Sequence, residues 1–346
     1  MKTFLYCFLC LLSIVFLQPA LAEDKIVNVY AWFGEIPEQV IHQFEKETGI
    51  KVNFSSYDSN EELYAKLRAI KQPYYDVIEP TCDYIGLMSK QHLLTTLDKT
   101  QLSAYHNLNP LLLHRAYDPH SQYSIPLIWG ITGIFFNTKY IKPNTIRRWS
   151  DLWDPQYHHQ LALLDDPRDV FAMALKSLGY SVNDNDPEHI KQAYLKLKAL
   201  IPNVKTFNNV TAALSIDEDI LLGISWNGDL SKARQENPSL GFIYPEEGFV
   251  IWAETLAIPK DAPHLHNAYL FLNFLLRPEI AKQIALYTNY ATANLTAQKL
   301  LPDSIKNNPI SYPPKKTLMR GEFQTALSGE AAELYEKYWE LLKMEK

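Results

Sequence analysis

The sequence predicts an α/β protein of two domains, each built on a mixed, mainly parallel sheet flanked by helices. The segment that follows an apolar leader alternates strand-like and helix-like runs, which is the pattern of parallel β-α-β units. The chain has 346 residues, and because this exceeds the usual size of one hydrophobic core, two domains are expected. Cys82 is the only cysteine beyond the leader, so stability must come from large cores without an internal disulfide.

Residues 1–22 have the pattern of a signal peptide for secretion. A positive charge at Lys2 precedes an apolar stretch over residues 4–17, and the small-residue motif A-L-A stands directly before Glu23. The stretch is short for a membrane span, and no later run approaches the roughly 20 apolar residues that a bilayer requires. We therefore expect export, cleavage near Glu23 and no membrane insertion of the mature chain.

The first unit alternates three strands with two helices. Residues 25–32 are strand-like, residues 37–48 have helical spacing that ends at Gly49, and IKVNFSSY is a second strand. A Ser-Asn pair at residues 59–60 caps the next helix, whose first turn is acidic. The run YDVIEP is then the third strand. This order predicts a parallel sheet with right-handed crossovers.

The second unit follows GITGIFF and extends to about residue 251. It contains the strand-like runs QLALLDD and LLGISW, the helix PRDVFAMALKSLGY and an amphipathic helix over residues 187–200. A helical segment over residues 262–286 follows and is broken at Pro278. The last amphipathic helix covers residues 329–343, so the chain ends on a helix.

Four apolar, strand-like runs each end in a tryptophan that is followed by turn residues: Trp32, Trp129, Trp226 and Trp252. The carboxyl ends of strands in open α/β sheets border the ligand crevice, so these rings are candidate walls of a binding slot, with core packing as the alternative. Glu35, Asp229 and Glu254 follow three of them. An aromatic face attracts a cation and a carboxylate neutralises it, so this combination predicts a pocket for an organic cation.

Charge and motifs narrow the functional classes. A formal charge of −6 argues against nucleic acid or an anionic membrane as partner. Asp166 and Asp169 stand at the start of a helix, where a helix cap and a pair of ammonium ligands are both open interpretations. Paired acids could also serve a glycosidase, but no nucleophile elbow, phosphate loop, dinucleotide motif or zinc pattern occurs. We predict no catalytic residue, cofactor or metal site.

A further signal comes from five segments spread over the whole mature chain: FEKETGIKVNFSSYDSNEELYAKL (44–67), YSIPLIWGITGI (123–134), LLDDPRDVFAMALKSLGYS (163–181), GISWNGDLSKARQ (223–235) and LFLNFLLRPEIAKQIALYTNYATANL (270–295). In this order they resemble the periplasmic spermidine/putrescine-binding proteins of polyamine ABC transporters, within the bacterial extracellular solute-binding family. The resemblance implies a type II periplasmic binding protein fold, with two lobes joined by crossing hinge strands. Lobe one would comprise residues 23–133 plus 253–299, and lobe two residues 134–252 plus 300–346.

The resemblance also implies a set of ligand-binding residues. Four aromatic side chains would surround the aliphatic chain of the ligand: Trp32, Trp226, Trp252 and Tyr290. Three acids would meet its ammonium groups: Asp166, Asp169 and Glu254. Thr81 and Gln324 match further polar positions of the pocket. Trp129 matches no ligand contact and is assigned to the hinge and core, and Asp229 is not used.

Two departures from the family pattern bear on the ligand. Glu35 and Asp83 stand where the family usually has tyrosine, and both are kept as candidate ligand-binding residues. Five acids in one closed cleft would exceed the two or three charges of putrescine or spermidine, and unpaired buried carboxylates are unfavourable. A further ammonium on the ligand, partial protonation or acids turned to solvent would each resolve the excess.

The predicted function follows from the resemblance. A monomer in the periplasm would bind spermidine, putrescine or both in the cleft between the lobes and deliver the polyamine to an inner-membrane ABC permease for uptake. A sensor receptor for a polyamine or a guanidinium compound, with the same fold, is one alternative. A glycan-active enzyme that uses the paired carboxylates is the other.

Overall fold

The computed structural model describes residues 24–209 and 219–346. The predicted signal peptide, residues 1–22, lies outside this part of the chain. The described residues form eleven strands, twelve α-helices and six short 3₁₀ helices. No helix among them is both long enough and apolar enough to cross a bilayer.

The strands, in chain order, are β1 (Ile26–Trp32), β2 (Lys51–Tyr57), β3 (Val77–Ile78), β4 (Ile125–Asn137), β5 (Leu161–Leu163), β6 (Val204–Phe207), β7 (Leu222–Trp226), β8 (Leu240–Ile243), β9 (Phe249–Leu256), β10 (Ala291–Thr292) and β11 (Gly321–Phe323). The α-helices are α1 (Glu38–Thr48), α2 (Asn60–Ala69), α3 (Cys82–Lys90), α4 (Pro167–Ser177), α5 (Pro187–Leu200), α6 (Asn227–Glu236), α7 (Leu265–Leu275), α8 (Pro278–Thr288), α9 (Leu295–Leu300), α10 (Asp303–Lys306), α11 (Lys315–Leu318) and α12 (Gly329–Met344). The 3₁₀ helices cover Lys99–Gln101, Tyr105–Asn107, Pro110–Leu112, Trp149–Trp153, Pro155–Tyr157 and Ile201–Asn203.

The first sheet is parallel and has the strand order β2-β1-β3. The central strand β1 is buried along both faces, which is typical of a parallel sheet covered by helices. Gly49 ends α1 in the left-handed conformation at φ 70°, where glycine carries no Cβ penalty. The Ser59 side chain accepts a hydrogen bond from the Glu62 backbone N–H at the start of α2. The predicted β-α-β-α-β order is confirmed.

The second sheet is mixed and has eight strands. Its main order is β11-β9-β4-β7-β5-β6, and β8 and β10 also pair with β4. The strands β4 and β9 are buried along their whole lengths and pair antiparallel. Bridges from Ile78 to Ala257 and from Thr81 to Glu254 then join the end of β9 to the first sheet. The end of β9 therefore connects the second sheet to the first.

The prediction that all four tryptophans end their strands is wrong for two of them. Trp32 ends β1 and Trp226 ends β7, but β4 continues past Trp129 and β9 continues past Trp252. The two strands pair through these positions, with Trp129 opposite Ala253 and Gly130 opposite Trp252. Because ladder hydrogen bonds hold the glycine-containing run GITG in extended conformation, its residues do not form the expected turn.

Gly130 allows the Trp252 indole to lie directly on β4. A Cβ at Gly130 would lie 2.2 Å from the indole atom Cζ2 and 2.8 Å from the Asn227 side-chain oxygen. That same oxygen accepts a hydrogen bond from the Ile131 backbone N–H at 3.1 Å. A methyl group at Gly130 must therefore displace the ring or the amide.

We expect Gly130→Ala to lower the free energy of unfolding by about 1–3 kcal/mol, because an added methyl group in a close-packed site forces its neighbours apart. Urea denaturation followed by tryptophan fluorescence measures this change. Gly329→Ala is the matched control, since a Cβ there meets nothing within 4 Å. Equal stability of the two variants would contradict the packing argument.

Candidate functional site

A cavity of about 460 Å³ lies where the carboxyl ends of β1 and β7 meet β9, and this volume is typical of small-molecule sites. All eleven predicted site residues line it: Trp32, Glu35, Thr81, Asp83, Asp166, Asp169, Trp226, Trp252, Glu254, Tyr290 and Gln324. Trp129 and Asp229 are not among the lining residues that the structure describes. The fold thus brings the predicted set together, and contact of these residues with a ligand stays a prediction.

Aromatic rings form the walls of the cavity. Trp252 and Tyr290 pack edge to face, with ring centroids 4.9 Å apart and an interplanar angle of 81°. A Cβ at Gly228 would lie 2.0 Å from the Tyr290 ring, so the start of α6 packs directly against it. Trp32 and Trp226 supply further rings from the ends of β1 and β7, and Tyr84 and Trp339 also line the cavity.

Glu254 fixes the Trp32 side of the cavity. Its Oε2 accepts a hydrogen bond from the Trp32 Nε1–H at 2.8 Å, and the Thr81 hydroxyl lies 3.0 and 2.9 Å from the two carboxyl oxygens. The Asn60 amide donates to the Thr81 hydroxyl at 2.8 Å. Burial raises the pKa of Glu254 to about 8, even though the Thr81 and Trp32 hydrogen bonds lower it.

The sequence left two interpretations open for Asp166 and Asp169: a helix cap and a pair of ammonium ligands. The Asp166 side chain accepts a hydrogen bond from the Asp169 backbone N–H at 2.9 Å, so it caps α4. Asp169 Oδ2 accepts from the Trp226 Nε1–H at 2.7 Å, whereas Asp169 Oδ1 has no partner among the described residues. Burial, and next the charge of Asp166, raise the pKa of Asp169 to about 8. The cap therefore holds Asp169 and Trp226 against the cavity.

Arg168 is the only lysine or arginine among the described residues that line the cavity, against ten acidic side chains. Its guanidinium donates to the Thr325 carbonyl at 3.0 Å and lies 5.7 Å from the centroid of the Tyr335 ring. Burial raises the pKa of Asp83 to about 6, and the nearby Arg168 charge partly opposes this rise. One arginine cannot neutralise this lining, so the electrostatics favour a cationic ligand.

All five predicted acids line the cavity. Asp83, Asp169 and Glu254 are buried, and Glu35 and Asp166 are half-buried on the cavity wall. Protonation or a ligand cation must therefore compensate these carboxyls.

Several residues at or behind the cavity wall were missed, and three of them bear on its acids: Asn60, Arg168 and Glu79. Asn60, expected only at a helix cap, orients Thr81. Arg168 follows the predicted Asp166 in sequence and lines the cavity. Glu79 is fully buried behind the Trp32 side of the cavity. An acid at the end of the apolar run YDVIEP was the available signal for Glu79.

Residues 39–313 match the family model described as bacterial extracellular solute-binding protein. The chain belongs to this family. This solute-binding protein is 44% identical over 323 residues to the spermidine/putrescine-binding periplasmic protein of Salmonella typhimurium, with 93% of this chain and 92% of that protein covered. The predicted family resemblance is confirmed.

Solved structures share the fold of this solute-binding protein. A protein from Listeria monocytogenes is 32% identical with a TM-score of 0.87, over 93% of this chain and 100% of that chain. The spermidine/putrescine ABC transporter substrate-binding protein PotD from Streptococcus pneumoniae is 32% identical with a TM-score of 0.82, over 92% of this chain and 99% of that chain. The predicted fold class is confirmed.

We expect the ligand-free protein to lose stability as the pH rises. Burial raises the pKa of Glu254 and of Asp169 to about 8 in the folded protein, whereas both groups titrate near pH 4 when unfolded. A carboxyl whose pKa is raised on folding contributes fully to stability below the unfolded pKa, and this contribution is lost as the pH rises through the folded pKa. Urea denaturation between about pH 5 and about pH 8.5 should show a fall on the order of 1–3 kcal/mol.

Asp169→Asn should reduce this fall, because an amide does not ionise. Glu188→Gln is the control, since Glu188 is 65% exposed on α5. Stability that stays constant or rises over the same pH range would contradict the assignment of raised pKa values to the cavity acids.

Proposed function

We propose that this solute-binding protein binds a polyamine, spermidine or putrescine, in the cavity and delivers it to an inner-membrane ABC permease for uptake. The lining carries this proposal, because it combines ten acids and a single arginine with six aromatic side chains. Protonated amines joined by methylene groups match such a site, since rings pack on the methylenes and carboxylates pair with the ammonium groups. The name of the Salmonella typhimurium relative supports the same ligand class.

The proposed contacts follow the sequence prediction. Trp32, Trp226, Trp252 and Tyr290 would flank the methylene chain of the ligand. Three acids would meet its ammonium groups: Asp166, Asp169 and Glu254. Glu35 and Asp83 are further candidate ligand-binding residues. Thr81 and Gln324 would supply further polar contacts. Each cation–π contact contributes about 0.5–2 kcal/mol, and buried ammonium–carboxylate pairs penalise a misplaced charge.

Binding would close two lobes, with residues 23–133 plus 253–299 in lobe one and residues 134–252 plus 300–346 in lobe two. Trp32 and Glu254 then belong to lobe one, and Trp226 and Asp169 belong to lobe two. A polyamine that contacts both pairs binds the closed form more tightly than the open form. It therefore shifts the equilibrium toward closure about the crossing strands β4 and β9.

The protein would act in the periplasm as a monomer without catalysis, exported by its predicted signal peptide. The sensor receptor and the glycan-active enzyme are not favoured, because the Salmonella typhimurium relative is named as a spermidine/putrescine-binding protein and the Streptococcus pneumoniae structure as a transporter substrate-binding protein. Asp166 is also engaged as the cap of α4. The helix cap explains the acids at residues 166 and 169, so no catalytic acid and base pair is needed to explain them.

The ligand class is tested by calorimetry and thermal shift on the mature protein. The panel comprises putrescine, cadaverine, spermidine, spermine, agmatine and lysine. We expect saturable binding and a raised melting temperature with at least one diamine or triamine, because only a multivalent organic cation satisfies both the rings and the acids. If none of these compounds binds, the proposal is contradicted.

The residue assignment is tested separately. Trp252→Ala and Asp169→Asn should each weaken polyamine binding by about tenfold or more, which corresponds to about 1.4 kcal/mol, because each removes a wall or a charge of the cavity. Trp129→Phe is the control: Trp129 is buried in the core and does not line the cavity, so it should lower stability and leave affinity unchanged. Normal binding by both cavity variants would show that these residues are wrongly assigned.

A further inference from the structure

Glu79 is a fully buried acid that the proposed contacts leave unused. It follows β3 directly, its side chain is 0% exposed, and neither carboxyl oxygen makes a well-aligned hydrogen bond among the described residues, although the Trp32 backbone N–H lowers the pKa of Glu79. Its backbone is fixed on both sides, since its N–H donates to the Tyr30 carbonyl at 3.2 Å and its carbonyl accepts from the Tyr57 hydroxyl. A buried carboxyl with so little hydrogen bonding is unfavourable when ionised, so it must meet a cation or carry a proton.

Glu35 is the residue through which Glu79 reaches the cavity. The charge of Glu79 acts on the pKa of Glu35, and Glu35 itself lines the cavity. Glu35 Oε2 has no partner among the described residues. The pair therefore has one member in the cavity wall and one member behind it.

The other titratable groups that face this carboxyl pair are acids and phenols: Glu254, Asp229, Tyr57 and Tyr290. Burial raises the pKa of Glu35 well above its usual range, followed by the charge of Glu79. Burial and the charge of Glu254 raise the pKa of Glu79 in the same direction. Two adjacent buried carboxyls in such surroundings cannot both ionise without a cation, so in the empty cavity they share a proton.

An ammonium group can replace that proton without changing the net charge of the site. With one proton, the carboxyl pair carries a net charge of about −1. With both carboxyls ionised and one ammonium bound at Glu35, the net charge is again about −1. The proton passes to solvent and the N–H bonds of the ammonium stay intact.

We propose that Glu79 is a positioning residue for specificity, which holds a proton with Glu35 until a terminal ammonium group of the ligand takes its place. This rests on the proposed function. A primary ammonium brings several N–H donors to the pair, whereas a neutral head group brings no charge to release the proton. Glu79 therefore selects for a charged terminal amine although it does not itself line the cavity.

The test is calorimetry of spermidine binding in buffers of different ionisation enthalpy, which gives the number of protons released for each ligand bound. Glu79→Gln should release fewer protons than the wild type near neutral pH, because loss of the Glu79 charge lowers the pKa of Glu35 and lets Glu35 ionise before the ligand binds. The slope of the logarithm of affinity against pH should also fall. A purely structural role for Glu79 would change affinity without changing this slope.

Glu188→Gln is the matched control, since it removes the same charge from an exposed position and should release as many protons as the wild type. If circular dichroism shows that Glu79→Gln does not fold, Glu35→Gln takes its place and should lose the same proton release. If the wild type binds spermidine and the variant releases as many protons as the wild type, this inference is overturned and the proposed function stands. An absence of polyamine binding by the wild type would overturn it together with the proposed function.

Discussion

Carboxyl groups that lose their water must gain a cation or a proton, and this requirement governs the cavity. Ten acidic side chains line it against one arginine. Burial raises the pKa of Glu254 and Asp169 to about 8, so the empty site is stabilised by protons. A ligand that carries several positive charges can replace them. The aromatic walls add a second requirement, because they favour a cation with an aliphatic body.

The same acids also fix the geometry of the walls. Glu254 accepts from the Trp32 indole and Asp169 accepts from the Trp226 indole, so each ring is held by a carboxyl that is also presented to the cavity. The cap of α4 places Asp169, and the Asn60–Thr81 contact places Glu254. A closed complex would therefore form from two walls that are already ordered, which limits the entropy lost on binding.

Proton exchange connects stability, affinity and selectivity in this solute-binding protein. A lower pH stabilises the empty protein by protonating its cavity acids, and the same protons compete with an ammonium ligand. The proposed Glu35–Glu79 pair extends this competition to one end of the ligand. The net charge of the pair stays constant during exchange, so discrimination depends on the ability of the ligand to donate hydrogen bonds from a charged nitrogen.

Local structure and family membership follow from the amino-acid sequence alone. Gly49 ends α1 and Ser59 caps α2 because these effects act within a few residues, and the alternation of strands and helices predicted the parallel sheet. The family resemblance supplied nine of the eleven predicted residues, Glu35 and Asp83 were kept as departures from it, and all eleven line the cavity. The resemblance separated Trp129 from Trp252, and the tertiary structure gives the reason, since both lie within strands and the β4–β9 register sets their surroundings. Only the tertiary structure brought Glu79 near Glu35 and Arg168 near Asp83. Such contacts join residues far apart in the chain, and burial, which raises the pKa values of the acids, exists only after the chain has folded.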